Sequence, residues 1–107
     1  VVKAMGITGM HKMGILSQVN QKPIIMHNTL PVISTAASLQ LAAAYPIIGP
    51  FMEYLDVDDH APVLKMLKTP FRFDKGMLSI PDAPGLGIEI DEDALIAMSS
   101  SVKVQRA

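Results

Sequence analysis

Two apolar runs without alternation, Pro23-Ile24-Ile25-Met26 and Ile47-Ile48-Gly49-Pro50-Phe51-Met52, bracket an alanine-rich stretch, and this arrangement limits the fold more than any other feature of the sequence. A strand with one wet face alternates apolar and polar residues. A strand that does not alternate is covered on both faces, as in a parallel sheet flanked by helices. Between the two runs, residues 31–45 read as a helix. Pro31 fits a first turn, Ala36, Ala37, Leu39, Leu41, Ala42, Ala43 and Ala44 favour helix, and Pro46 stops it. Small residues on so many of its faces imply close packing. Strand, helix and strand in this order write an α/β chain.

Upstream, Val1-Val2-Lys3 is expected to be the end of a β-branched strand, and Gly6-Ile7-Thr8-Gly9 the turn that leads into a helix capped by Thr8. Met10, Met13, Ile15, Leu16 and Val19 then recur with His11, Lys12, Ser17 and Gln18 between them, which predicts an amphipathic helix over 9–19. Asn20, Gln21 and Lys22 form a polar loop, and Pro23 disfavours further helix. Downstream of Glu53 the pattern changes. Residues 63–67 predict a short helix, and Phe71-Arg72-Phe73 with Met77-Leu78-Ser79 a hairpin around Asp74-Lys75-Gly76. Residues 81–87 form a Pro/Gly-rich crossing. Asp91, Glu92 and Asp93 favourably open a last helix over 91–97.

Composition narrows the function classes. The 107 residues allow one core, of a domain that buries roughly two-thirds of its unfolded surface. Nine Lys and Arg against ten Asp and Glu leave no basic field, so neither nucleic acid nor membrane is expected as a partner. No apolar run reaches the roughly 20 residues of a membrane span, and no basic segment precedes an apolar core in the manner of a signal peptide. The absence of cysteine excludes disulfides and thiol chemistry and makes the cytoplasm the expected compartment. The eight methionines read as irregular core filler. The first residue is Val1 rather than Met, as after methionine removal or in a truncated chain.

His27 directly follows the first apolar run, and ligands of parallel sheets gather at strand C-termini. An imidazole titrates near neutrality and suits a general acid or base. Glu53 ends the second run in the same way, so the two side chains can meet at one rim as a proton-transfer and electrophilic pair. Position alone also allows a capping or packing His27 and a solvated Glu53. Asp56, Asp58, Asp59 and His60 lack the glycine and distant glutamate of a calcium loop and a second histidine at zinc spacing, and read as a solvated loop. His11 and Lys12 are expected at the surface. Gly85-Leu86-Gly87 precedes Ile88-Glu89-Ile90 instead of opening a helix, which makes it a poor phosphate loop.

The stretch Gly76-Met77-Leu78-Ser79-Ile80-Pro81-Asp82-Ala83-Pro84-Gly85-Leu86-Gly87-Ile88-Glu89-Ile90-Asp91-Glu92-Asp93-Ala94-Leu95 resembles the C-terminal signature of the enolase superfamily, mandelate racemase/muconate-lactonizing enzyme group. Lys3 and Gly6-Ile7-Thr8-Gly9 resemble the end of the sixth strand of that family's barrel, residues 23–27 its seventh strand, and Phe51-Met52-Glu53 its eighth. The resemblance implies the C-terminal part of a (β/α)-barrel: the last two strands and a stub of the preceding one over 1–57, followed over 58–107 by an extension returning toward a capping domain. It implies a magnesium-dependent enzyme that removes a proton α to a carboxylate and stabilises the enediolate. His27 then falls on the general acid/base and Glu53 on the residue that hydrogen-bonds the substrate carboxylate. Met5 replaces the first glycine of the sixth-strand pair.

The family's metal-binding carboxylates lie on its third to fifth strands and its lysine base on the second. None of these falls within this chain, so the magnesium ligands are expected in the full-length parent only. The aspartate that pairs with the histidine would fall just before Val1. A complete barrel takes about 250 residues. The expectation is therefore an acid-sugar dehydratase, with a mandelate racemase-like racemase as the close alternative, acting on a small 2-hydroxy or sugar acid and lacking turnover as an isolated chain. Its partner would be the missing N-terminal part of the enzyme or a second copy. The competing reading is a non-catalytic fragment with a structural or self-association role.

Overall fold

A computed structural model describes residues 1–29, 32–49, 51–54 and 62–99. Helices α1 (Gly6–Asn20), α2 (Ile33–Ala44) and α3 (Glu92–Met98) are joined by turns and by a two-stranded antiparallel hairpin of β1 (Phe73–Asp74) and β2 (Met77–Leu78). No helix among the described residues is long and apolar enough to cross a membrane.

The expected strand end at residues 1–3 is instead a 3-10 turn, Val2–Ala4, closed by the Ala4 and Gly6 amides on the Val1 carbonyl at 3.0 and 3.2 Å. Valines extend when a neighbouring strand takes their amides. No described strand lies beside these, and local bonds satisfy the backbone instead. Met5 follows in the left-handed region at φ 58°, and α1 begins at Gly6 without a side-chain cap. Thr8 is thus inside the helix rather than capping it. The early start depends on Gly9: a Cβ there would lie 1.7 Å from the Ala4 carbonyl oxygen.

The sidedness of α1 also departs from expectation. It buries Gly9, Met10, Gly14 and Ser17, while Met13, Ile15, Leu16 and Val19 are exposed. Small residues let the helix approach closely, and a Cβ on Gly14 would lie 3.2 Å from Ile48 Cδ1 and 3.3 Å from the Tyr45 ring. The aliphatic residues point where no described element stands. Tyr45, whose hydroxyl is hydrogen-bonded to His11 Nδ1, completes this contact. His11 and Lys12 are exposed, as expected.

The two apolar runs meet in parallel, but through one bridge, Ile24 to Ile48, with the Ile24 amide donating to the Ile47 carbonyl at 3.1 Å. Burial on both faces does not occur: Met26 and Asn28 are 4% and 2% exposed, whereas Ile25 is 64% exposed. One side rests on the helices, and the other faces no described element. Met10, Met26, Leu41 and Ile48 form the core, with Ile24, Ala42, Tyr45, Ile47 and Met52 packed around it. The methionines are only partly core filler, since Met5, Met13, Met77 and Met98 are exposed.

Helix α2 buries Thr35, Ala36, Ala37, Ser38, Leu39 and Leu41, and the packing on several faces follows from their small volumes. It ends where Tyr45 turns extended ahead of Pro46. Its Gln40 donates through Nε2 to the carbonyls of Pro81 and Leu86, at 2.7 and 3.4 Å, and so holds the crossing segment.

The C-terminal region follows local turn chemistry. Lys75 and Gly76 both have positive φ, 49° and 81°, as a tight two-residue hairpin turn requires. Phe73 pairs with Leu78 and Asp74 with Met77. A 3-10 turn, Pro62–Met66, stands in place of the expected short helix, and Leu67 then pairs antiparallel with Ile90. Beside this bridge the Lys68 ammonium meets the Glu89 carboxylate, and that hydrogen bond, followed by the charge attraction, raises the lysine pKa above its ordinary value. Asp91 caps α3 by accepting the Ala94 amide at 2.9 Å.

Candidate active site

The parallel bridge sets His27 and Glu53 at corresponding ends of the two apolar runs. Three residues beyond Ile24, His27 emerges on the same exposed side as Ile25. Glu53 follows half-buried Met52 and turns toward it. His27 Nδ1 lies 2.7 Å from Glu53 Oε2, with side-chain exposures of 56% and 41%. The Asn28 main-chain N–H donates to the same oxygen at 3.2 Å.

An ionised carboxylate only accepts, so the geometry places a proton on Nδ1, donated to Oε2. Nε2 of a neutral ring is then the acceptor. The Thr29 hydroxyl donates to it over 3.4 Å. A carboxylate on one imidazole nitrogen fixes ring and tautomer while the other nitrogen accepts or returns a proton. The exposed pair contributes little to stability; what it contributes is orientation. His27 and Thr29 border a cleft of about 180 Å³ that also involves Lys3, Met10, Ile25 and Ser34.

Asn28 was not singled out by the sequence, although it adjoins His27. Its side chain is 2% exposed, donates through Nδ2 to Thr35 Oγ1 at 3.0 Å and accepts from the Ser34 hydroxyl at 3.3 Å. Ser34 and Thr35 lie in the first turn of α2, so the end of one element is tied to the start of the next. A polar residue directly after His27, followed at six and seven positions by two hydroxyls, was the available signal.

Asp56, Asp58, Asp59 and His60 lie outside the described residues. Gly85 and Gly87, with φ of 72° and 73°, are turn residues of the crossing segment. Among the described residues no three His, Asp or Glu side chains gather to hold a metal ion.

A family model described as enolase C-terminal domain-like matches residues 1–94. The chain belongs to that family. This agrees with the resemblance to the mandelate racemase/muconate-lactonizing enzyme group and gives the chain an α/β class. The enolase-like chain is 33% identical over 96 residues to D-galactarolactone cycloisomerase of Agrobacterium fabrum, covering 84% of this chain and 25% of that protein. It is 36% identical over 87 residues to arabinonate dehydratase of Saccharolobus solfataricus, covering 79% and 22%. It is 31% identical over 96 residues to D-xylonate dehydratase of Haloferax volcanii, covering 86% and 22%. The chain thus spans about a quarter of the length of the curated relatives it matches. The search of solved structures gave no match.

Proposed function

We propose that His27 and Glu53 belong to the proton-transfer site of an acid-sugar dehydratase. The observation that carries this reading is the 2.7 Å contact between His27 Nδ1 and Glu53 Oε2, which leaves Nε2 clear of the carboxylate. Two of the similar proteins cited are named as dehydratases of sugar acids, which favours loss of water over racemisation. In dehydration the α C–H bond breaks and its proton passes to a base, while its electron pair forms the new double bond. The β C–O bond breaks, and protonated His27 gives its Nε2 proton to the departing hydroxyl, which leaves as water. A racemase would share the first step and return a proton to the opposite face.

Residues 1–57 then supply the last βα units of a barrel and residues 58–107 its return toward a capping domain. Magnesium, which this family's chemistry implies, would be held by carboxylates on preceding strands. The working partner is therefore the remaining portion of such an enzyme, the compartment is the cytoplasm, and the 107 residues alone have no turnover. Ile25, exposed beside His27, supports this, because it leaves one side of the site without a wall.

The test is turnover of a panel of five- and six-carbon sugar acids, with magnesium, by the protein carrying this chain together with the rest of the barrel. Formation of the dehydrated keto acid is expected, with His27→Gln lowering kcat by roughly 10²–10⁴-fold. Turnover that His27→Gln leaves unchanged would remove His27 from the mechanism.

A further inference from the structure

Burial alternates along the segment that carries His27. Met26 and Asn28 are buried, whereas Ile25, His27 and Thr29 are exposed. This is the pattern of an extended chain, in which every second side chain shares one face, spaced by roughly 6.6 Å. All three exposed residues border the cleft of about 180 Å³. The order along it is an aliphatic side chain, then the imidazole, then a hydroxyl at the C-terminal end, the end at which sites of parallel sheets open.

The Thr29 hydroxyl donates to His27 Nε2 over 3.4 Å, a long and therefore weak bond that is readily exchanged. Once Nε2 carries the proton that the departing hydroxyl takes, it no longer accepts. The threonine oxygen is then left beside the reacting carbons with one proton to give and lone pairs to receive. We propose that Thr29 is a specificity-determining residue: its hydroxyl hydrogen-bonds the substrate hydroxyl on the carbon next beyond the one that loses water, and so selects polyhydroxylated acids. This rests on the reading of His27 as the acid in dehydration. It involves Nε2 alone and is independent of the carboxylate that meets Nδ1. In a sugar acid the γ-hydroxyl is the neighbour of the departing β-hydroxyl, so an oxygen 3.4 Å from Nε2 stands where that neighbour arrives. An apolar group at the γ-carbon would leave the threonine hydroxyl unpaired, which penalises such a substrate.

The test compares a five-carbon sugar acid with its γ-deoxy analogue, using the protein that carries this chain together with the rest of the barrel, in magnesium. Thr29→Val keeps the side-chain shape and removes the hydroxyl; Thr29→Ser keeps the hydroxyl. Thr29→Val is expected to lower kcat/KM for the sugar acid roughly tenfold and to leave the γ-deoxy analogue unchanged, and Thr29→Ser to retain the parent's preference. Binding is read separately by calorimetry in the His27→Gln protein, where adding Thr29→Val should weaken the Kd of the sugar acid by a similar factor and leave that of the analogue as it was. An equal loss on both compounds, or no loss on either, overturns the proposal even if sugar acids are turned over, and so does failure of the sugar acid to bind. Discrimination in Kd without turnover of any sugar acid by the parent supports the role of Thr29 in recognition and counts against the dehydratase reading.

Discussion

Met5 carries backbone strain at a site where its side chain contributes little. It sits at φ 58° and is 84% exposed, between a 3-10 turn and the start of α1. An L-residue in the left-handed region costs about 1–2 kcal/mol, and glycine relieves that cost while giving back roughly 0.5–1 kcal/mol in unfolded-state entropy. Met5→Gly is therefore expected to stabilise the protein by about 0.5–1 kcal/mol, read as a higher urea midpoint with unchanged slope. The family resemblance puts a glycine at this position, and the backbone gives the physical reason. His27 and Glu53 were legible because each ends an apolar run. Asn28 was not, since no spacing rule encodes its bonds to Ser34 and Thr35.

Among the elements, those made by local chemistry were readable and those made by neighbours were not. The alanine-rich helix and the Lys75-Gly76 turn follow from nearby residues alone, and the last helix was expected one residue early, with Asp91 in its first turn where it is the cap. Strand ladders depend on what lies alongside, so residues 1–3 fold into a turn and residues 23–26 keep one bridge. The Leu67 and Ile90 pairing joins two short segments whose patterns announce nothing. Helix α1 shows how a close approach outweighs propensity. Alanine is the better helix former by up to about 1 kcal/mol, yet a Cβ on Gly9 meets the Ala4 carbonyl oxygen. Gly9→Ala is expected to destabilise by about 1–3 kcal/mol net. A thermal midpoint equal to or above that of the parent would show that the preceding turn yields freely.

For the whole molecule, the decisive property is an uneven distribution of apolar surface. Ile25 and Phe51 are 64% and 73% exposed, and Leu16 and Val19 on α1 are 63% and 76% exposed. Apolar exposure on this scale marks surfaces that meet other protein. The 107-residue chain by itself is accordingly expected to self-associate, and sedimentation velocity over a concentration series would show a rising mean mass. A strictly monomeric chain that binds no hydrophobic dye would contradict this. Gln40 adds a mechanical consequence. It lies six residues beyond Ser34, about 9 Å along the α2 axis, and grips the carbonyls of Pro81 and Leu86. The helix is thus a beam with two attachments, one to Asn28 and the other to the C-terminal crossing, so a pull on the tail loads the same member that holds the residue after His27.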